Sequence, residues 1–377
     1  MRIALVGRGY SVWWGGAERV MVEFSQALKE EGVDVEVFVE KVDEDSPQDV
    51  PIKRIKPLKI NSALKLYTFH KEVDSALKKS HFDVVFGMTQ FFPLDIYWAG
   101  GGVYRHWMKL RFENPVVRGL KYVVSPAHFV MRWLEENIMK KENHRHIITN
   151  SQLVKEQMLE YFHIEPERVS VVYNGIDHRI FNPEVRRYRK EIRESYGIKE
   201  DTLVVLFVAN NWERKGLRTL IRAMAETEFT LLVVGRGRKE GFTGEAQRLG
   251  IGEDRLIFTG PQKNVERFYG ASDVFVLPTQ YDPCSGVCLE AMATGLPVIT
   301  TRSNGAAELI EEGKNGFVME DWLDHTGLAG FVERLKDRAL RDAFAEAGLR
   351  RVEPLTWKNT AQKMLKICNT IAREKTS

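Results

Sequence analysis

The sequence has little cysteine and no long apolar run. Its 377 residues include three cysteines, Cys284, Cys288 and Cys368, and such an odd, sparse set argues against a disulfide framework and for a reducing compartment. No stretch approaches the roughly 18 apolar residues that a membrane span requires. The opening MRIALVGRGY has the pattern of a buried strand, and its apolar run is too short for the core of a signal peptide. These absences predict a cytoplasmic protein.

Neither sign of charge is in large excess. Lysine and arginine number 55 against 52 aspartates and glutamates, so the formal charge is +3 and the pI is about 8.6. This balance gives no reason to expect attraction of the whole protein to nucleic acid. The chain contains no low-complexity segment or short repeat, and its length predicts two domains that each bury a core.

Short apolar runs alternate with helical patterns along the whole chain. RIALV, VDVEVFV, FDVVFG, HIITNS and RVSVVYNG form a first series, and DTLVVLFVAN, FTLLVVG, DRLIFTG, DVFVLPT and LPVITT form a second. This order predicts an α/β protein with two doubly wound parallel sheets. The segment NGIDHRIFNP separates the two series. We therefore expect an N-terminal domain over 1–180 and a C-terminal domain over 181–357.

Ligands of parallel sheets bind at the carboxyl ends of the strands, and three unusual loops follow predicted strands there. One of them, ANNWERKG, carries Arg214 and Lys215 just before a glycine and a helix. Two cations beside a helix N-terminus suit a diphosphate. The alternative is a solvated basic turn.

A second loop, GRGYSVWWGGAER, follows the first strand. In it Gly15 and Gly16 would let the backbone approach a phosphate or a sugar, although they could also form a simple tight turn. Gly7 and Gly9 suggest a dinucleotide fingerprint, but Val12 occupies the position of its third glycine. A nicotinamide site is therefore the weaker hypothesis.

The third loop lies in QYDPCSGVCLEAMATGLPVITT and places two carboxylates eight residues apart. Glu290, near the start of a helix, could accept two hydrogen bonds from a vicinal diol such as a ribose, and Asp282 could accept one from a sugar hydroxyl. Backbone N–H groups of Gly286 and Val287, after Ser285, would complete a nucleotide-sugar site. The alternative is a capped helix with an incidental acid.

These segments resemble the retaining glycosyltransferases of the GT-B fold, group-one family. The family signature is two acids eight apart followed by L-E-A-M-A-x-G-L-P-V, and the glycine pair with Arg19 and the pair Arg214–Lys215 before Gly216 are similar to further family motifs. The first acid, usually glutamate, is Asp282 here. PLDIYWAGGGVY is similar to a segment of the lipopolysaccharide-core glucosyltransferases, which have an acid where this chain has Gly101.

The resemblance implies two Rossmann-like domains facing across a cleft, with an acceptor-binding N-terminal domain joined by a C-terminal crossover helix over 358–377. It implies transfer with retention from a nucleotide sugar, UDP-glucose being its suggestion, to a lipopolysaccharide-core or other cell-surface glycan. A sugar-nucleotide epimerase, and a glycan-binding protein without turnover, are the alternatives. No D-x-D pair is placed to hold a divalent ion, so neither a metal nor another cofactor is expected.

The resemblance also implies the roles of individual residues. Asp282, Arg214 and Lys215 would be catalytic, and Arg19 and His106 would touch the acceptor. The donor would be bound by Gly15, Gly16, Arg214, Lys215, Val265, Ser285, Gly286, Val287 and Glu290.

The segment 104–146 has nine lysines or arginines against four glutamates, interleaved with Trp107, Phe112, Tyr122, Phe129 and Trp133. Basic residues mixed with interfacial aromatics suit an anionic membrane surface, so we expect peripheral association with the inner face of the cell membrane. The alternative is a solvated basic helix face. Other conspicuous residues are expected to be structural, namely the cysteine pair Cys284 and Cys288, which could alternatively ligate a metal, and the histidines His144 and His146.

Overall fold

The computed structural model describes residues 1–376 and divides the chain into two units. Unit 1 comprises Met1–Gly175 and the chain from Trp357 onward, and unit 2 comprises Ile176–Thr356. The sequence places its domain boundaries at 180/181 and 357/358, a few residues from these positions.

Unit 1 contains a seven-stranded sheet in the order β5-β3-β1-β6-β7-β8-β9, in which all neighbours are parallel. A separate parallel pair, β2 with β4, lies beyond the end of β1. The strands are β1 Arg2–Val6, β2 Gly9–Tyr10, β3 Asp34–Val39, β4 Lys41–Val42, β5 Ile52–Arg54, β6 Val84–Gly87, β7 Ile96–Trp98, β8 His146–Thr149 and β9 Val169–Val171.

The helices of unit 1 cover both faces of this sheet. Along β1, Ile3 and Leu5 belong to one apolar core and Ala4 and Val6 to another, and all four are fully buried. This two-residue alternation between two cores is what a parallel sheet with helices on both sides requires. The helices are α1 Gly16–Glu30, α2 Ser62–Leu77, α3 Tyr104–Arg111, α4 Pro115–Val124, α5 Pro126–Ile138, α6 Gln152–Tyr161 and α14 Trp357–Thr376.

The last helix, α14, packs on unit 1 beside α1. Its residues Ala361, Met364 and Cys368 recur at helical spacing and are fully buried in the core that contains Leu5. This apolar stripe explains why α14 is grouped with the N-terminal part of the chain although unit 2 precedes it in sequence.

Unit 2 contains a six-stranded parallel sheet in the order β12-β11-β10-β13-β14-β15. The chain builds outward from β10 to β12 and then returns to the other side of β10, so the sheet has a topological switch point between β10 and β13. Ligands of open α/β sheets bind at the carboxyl ends of the strands at such a point. The strands are β10 Val204–Val208, β11 Thr230–Val234, β12 Leu256–Gly260, β13 Val274–Leu277, β14 Val298–Thr301 and β15 Gly316–Met319.

The predicted fold class is confirmed, since both units are Rossmann-like parallel sheets flanked by helices. The strands that the sequence did not reveal are short, such as β5 and β7 with three residues each and β15 with four.

The helices of unit 2 are α7 Arg189–Ser195, α8 Leu217–Ala223, α9 Glu240–Arg248, α10 Glu266–Ala271, α11 Gly286–Ala293, α12 His325–Arg334 and α13 Arg338–Val352.

Candidate active site

The loops that follow β10 and β13 are hydrogen-bonded to each other at the switch point. The carbonyl of Arg214 accepts from the backbone N–H of Gln280 at 2.9 Å and from the Thr279 hydroxyl at 3.2 Å. In return the Arg214 guanidinium donates to the carbonyl of Tyr281 at 2.6 Å. These reciprocal bonds fix the two loops against one another.

Gly216, which ends the first of these loops, has a left-handed backbone with φ of +81°. A Cβ at this position would lie 1.9 Å from the carbonyl oxygen of Pro278, which belongs to the other loop. Only glycine therefore allows the two loops to come this close.

Lys215 and Asp282 form an ion pair at this junction, with the lysine amine in direct contact with Asp282 Oδ2. Their side chains are 12% and 13% exposed. The other carboxylate oxygen of Asp282 accepts from the backbone N–H of Cys284 at 3.2 Å, and its backbone pairs with Ser303 and Gly305. The carboxylate is thus held by its own loop while it contacts the cation.

Burial, and then the neighbouring charge of Arg214, lower the pKa of Lys215 to about 7. The ion pair with Asp282 acts in the opposite direction, because it favours the charged amine. Burial also lowers the pKa of the Arg214 guanidinium. Two cations that have lost part of their hydration are suited to receive an anionic ligand.

The N-terminus of α11 lies directly after this loop. Its N-cap residue, Ser285, makes no side-chain capping bond to the helix among the described contacts, whereas Gly286 is exposed and Val287 half-buried. The buried amide of Asn304 accepts from the backbone N–H of Ser285 and of Ala306, each at 3.1 Å. Asn304 therefore fixes the start of α11. The backbone N–H groups in the first turn of this helix point back toward the loop that carries Asp282.

Glu290, in the second turn of α11, is held by a tyrosine. The Tyr269 hydroxyl donates to Glu290 Oε2 at 2.9 Å and lies 3.3 Å from the carbonyl of Val287. Tyr269 is fully buried in α10, the helix that begins directly after Val265. Tyr269 and Asn304 are the two supporting residues that the sequence did not reveal.

The remaining predicted site residues lie in unit 1. Gly15 is the N-cap of α1 and Gly16 its first residue, whereas the Arg19 guanidinium lies 3.7 Å from the carboxylate of Glu23. His106 lies in α3, half-buried, with Nδ1 3.5 Å from a tyrosine hydroxyl, and burial lowers its pKa. The structure thus gathers Arg214, Lys215, Asp282 and the 285–290 segment in unit 2 and places these four residues in unit 1.

The cysteine pair of the loop is buried. Burial raises the pKa of both thiols, that of Cys288 to about 11, so the two side chains are protonated at neutral pH. Within residues 1–376 no group of three or more His, Cys, Asp or Glu side chains is arranged to hold a metal ion. His144 Nδ1 lies 2.7 Å from a backbone carbonyl and His146 Nε2 2.9 Å from a serine hydroxyl.

The ion pair leads to a prediction for the pKa of the Lys215 amine. Its amine should titrate well below the ordinary value of 10.5, and the Asp282→Asn variant should lower the pKa further by about 1 unit or more, because an opposite charge is removed. The pH dependence of the Lys215 Cε–H NMR signal measures the pKa in the unmodified protein and in Asp282→Asn. The signal is assigned by its absence from the spectrum of Lys215→Arg. A higher pKa in Asp282→Asn would contradict the pairing.

The chain is similar to known families and proteins. Residues 188–351 match the family model of glycosyl transferases group 1, and residues 14–179 match the model of glycosyltransferase family 4. The lipopolysaccharide glucosyltransferase WaaG of Escherichia coli K12 is 25% identical over 343 residues, which are 88% of this chain and 89% of that protein. The uncharacterized glycosyltransferase MJ1607 of Methanocaldococcus jannaschii is 28% identical over 245 residues, and the match spans 59% of each chain.

Two solved structures share the whole fold. A crystal structure of WaaG, a glycosyltransferase involved in lipopolysaccharide biosynthesis, superposes with a TM-score of 0.84 at 22% identity and covers 97% of this chain and 99% of that one. HepE of Anabaena, solved with UDP and glucose, gives 0.74 at 19% identity, again over 97% and 99%. The chain is a glycosyltransferase of the group-1 family and has the GT-B fold.

Proposed function

We propose that the chain moves a sugar, glucose from UDP-glucose, to a lipopolysaccharide-core or other cell-surface glycan, with retention of configuration and without a metal ion. The observation that carries this proposal is the Lys215–Asp282 ion pair beside Arg214 at the switch point of unit 2. The relatives support the choice of substrates, since WaaG is named as a lipopolysaccharide glucosyltransferase and HepE was solved with UDP and glucose.

The donor diphosphate would be bound by positive charge and helix amides. Arg214 and Lys215 supply two cations, and the first turn of α11 at Gly286 and Val287 supplies backbone N–H groups and the positive end of the helix dipole. The leaving diphosphate gains charge in the transition state, and these groups would stabilise it without reorganising.

The two carboxylates would bind the two sugars of the donor. Tyr269 fixes the orientation of Glu290, to which we assign the ribose hydroxyls. Asp282 would accept a hydrogen bond from the transferred sugar while it holds Lys215. One carboxylate would thus couple the position of the reacting sugar to the cation at its leaving group.

Retention would follow from attack on the face that the diphosphate leaves. The acceptor oxygen bonds to the anomeric carbon as the bond to the phosphate oxygen breaks, and the acceptor proton passes to that phosphate oxygen.

The acceptor would contact unit 1 through Arg19 and His106, whereas Gly15 and Gly16 would contribute to donor binding. At Gly101 a Cβ would meet no atom within 4 Å, so packing does not require the glycine that replaces the acid of similar enzymes.

A second proposal concerns the membrane. Helix α4 has no buried residue, and it forms what we term the α4 face, which comprises Val116, Val117, Leu120, Val123 and Val124, exposed by 43–79%. Lys109, Arg111, Arg118 and Lys121 lie in the same helical region. An exposed apolar stripe with basic residues around it suits partial insertion into an anionic bilayer surface.

The structure changes which residues would contact lipid. Of the six Phe, Tyr and Trp residues in the 104–146 segment, only Phe129 is exposed. Trp107 stacks on Tyr104, and Trp133 packs edge-on against Phe92. The candidate membrane surface is therefore mainly aliphatic. Among the described residues no helix is both long and apolar enough to cross a bilayer.

The roles of the carboxylates can be separated by substitution. Glu290→Gln should weaken UDP binding by about 10-fold to 100-fold, because it loses a charge-assisted bond present before and during reaction. Asp282→Asn should leave UDP binding nearly intact, because the bound diphosphate then supplies the opposite charge that keeps Lys215 protonated, while transfer falls by ~10²–10³. Calorimetry with UDP and a product assay with UDP-glucose measure the two effects. The reverse pattern would show that the two assignments are exchanged, and the absence of any transferred or released sugar with the unmodified protein would contradict the proposed function.

Metal independence is a separate prediction. Because Arg214 and Lys215 supply the positive charge, excess chelator should change the transfer rate by no more than about twofold. Complete loss of transfer that magnesium or manganese restores would contradict it.

Membrane binding should require both the α4 face and its charges. The double variant Leu120→Ser with Val123→Ser should reduce sedimentation of the protein with anionic vesicles. Substitution of Gln for Lys109, Arg111, Arg118 and Lys121 should also reduce it. Binding of the unmodified protein should weaken as salt is added, and the Gln variant should lose this salt dependence because the basic residues cause it. The control is Leu58→Ser with Ile60→Ser, two residues of unit 1 that are also exposed, by 54% and 76%. Equal binding of all variants, or of neutral and anionic vesicles, would identify the region as a solvated helix face.

A further inference from the structure

Two adjacent tryptophans, Trp13 and Trp14, are exposed on unit 1. Their exposed fractions are 46% and 44%, whereas the other six of the eight tryptophans are buried or half-buried. A large indole left half in water is unusual in a surface loop, and here two follow one another directly before the glycine pair. The position of these rings therefore calls for a functional explanation.

The backbone under and before these rings is held by hydrogen bonds to two buried hydroxyls. Ser11 Oγ accepts from the backbone N–H of Trp13 at 3.0 Å and of Trp14 at 3.2 Å, and it donates to Asp43 Oδ2 at 2.7 Å. Ser46 Oγ accepts from the N–H of Val12 at 3.1 Å. A loop fixed in this way loses little conformational freedom when it binds a ligand.

The loop also lies where a parallel sheet binds ligands. It follows β2 in the connection from the carboxyl end of β1, a central strand of the sheet, to the N-terminus of α1. The Trp14 ring lies against Gly9, where a Cβ would be 3.4 Å from the ring. The Glu18 carboxylate lies beside Gly15, with Oε2 2.8 Å from the position of a Cβ there. A hydrogen-bond acceptor thus accompanies the two apolar rings.

The size and chemistry of this surface select a sugar ring. Each indole exposes roughly 100 Å², since a fully enclosed aromatic side chain buries 150–250 Å², which is far below the approximately 800 Å² that a protein partner would cover. A pyranose has one face of C–H groups that stacks on the electron-rich indole face, and a rim of hydroxyls that donate to a carboxylate. A phosphate or another anion would gain nothing from the rings and would be repelled by Glu18.

We infer that Trp13 and Trp14 form a stacking platform for a sugar ring of the acceptor glycan. This inference rests on the proposed function and names the residues through which unit 1 would recognise the acceptor. The donor is not the ligand assigned to the two indoles, because Lys215, Asp282 and Glu290 already supply side-chain contacts for its diphosphate and sugars, and the neighbouring Gly15 and Gly16 would add only backbone contacts to it.

The test uses the whole chain and lipopolysaccharide-core oligosaccharide freed of its acyl chains, so that binding to lipid cannot contribute. Trp13→Ala and Trp14→Ala should each raise the KM for this oligosaccharide about tenfold. The donor KM and the rate of donor hydrolysis without acceptor should stay unchanged. Trp13→Phe and Trp14→Phe keep a smaller ring and should lie between. Ile60→Ala, an exposed apolar residue of the same unit, should behave as the unmodified protein.

Direct binding tests the platform independently of transfer. The oligosaccharide, or methyl glucoside at high concentration, should protect tryptophan fluorescence from acrylamide quenching, and Trp13→Phe with Trp14→Phe should lose this protection. Failure of both sugars to protect, or unchanged acceptor KM in both alanine variants, would overturn the inference. A rise in donor KM would assign the rings to the donor, and a loss restricted to vesicle binding would assign them to the membrane, each of which also overturns it. If no sugar is transferred but the oligosaccharide still protects tryptophan fluorescence from quenching, only the proposed function is contradicted.

Discussion

The contact between Lys215 and Asp282 is the interaction on which the site depends. A largely buried amine is costly unless a carboxylate accompanies it, and here the carboxylate comes from a loop 67 residues further along the chain. The pairing is possible because Gly216 takes a left-handed conformation and passes within contact of the Pro278 carbonyl. One glycine, one lysine and one aspartate thus join the ends of β10 and β13.

The parallel sheet of unit 2 provides the place for this contact. Its strand order reverses between β10 and β13, and both loops leave the sheet at that point. The next helix, α11, is fixed at its start by Asn304 and in its second turn by Tyr269. The cations, the helix amides and the second carboxylate are therefore positioned by three different elements around one pair of strand ends. Such support from outside the binding residues is what an electrostatically organised site requires.

Much of this arrangement could be predicted from the sequence, and the missing parts have physical reasons. Alternating apolar runs indicated two parallel sheets, and the loops that carry Lys215 and Asp282 both followed predicted strands. Tyr269 could not be identified, because its bond to Glu290 depends on how α10 packs against α11 and nothing in its local sequence marks it. Five strands, β2, β4, β5, β7 and β15, were not predicted. Each has only two to four residues, and none lies in a longer run of β-branched residues such as the one that revealed β9.

The surface features were harder to predict than the donor site. The aromatic residues of the 104–146 segment look like lipid contacts in the sequence, yet most of them pack against neighbouring rings, and the valines of α4 are exposed instead. Exposure depends on tertiary packing, which composition does not encode. The same holds for Trp13 and Trp14, whose exposure only the structure reveals.

The central claim is that Lys215, held by Asp282, binds the diphosphate of the donor. Calorimetric titration of UDP and of uridine into the unmodified protein, Lys215→Met and Lys199→Met tests it most directly, because the two ligands differ only in the diphosphate and Lys199 is an exposed lysine of the same unit. The account predicts that Lys215→Met loses UDP affinity by about 10-fold to 100-fold while uridine affinity stays the same, and that Lys199→Met changes neither. An unchanged preference for UDP over uridine in Lys215→Met would contradict it.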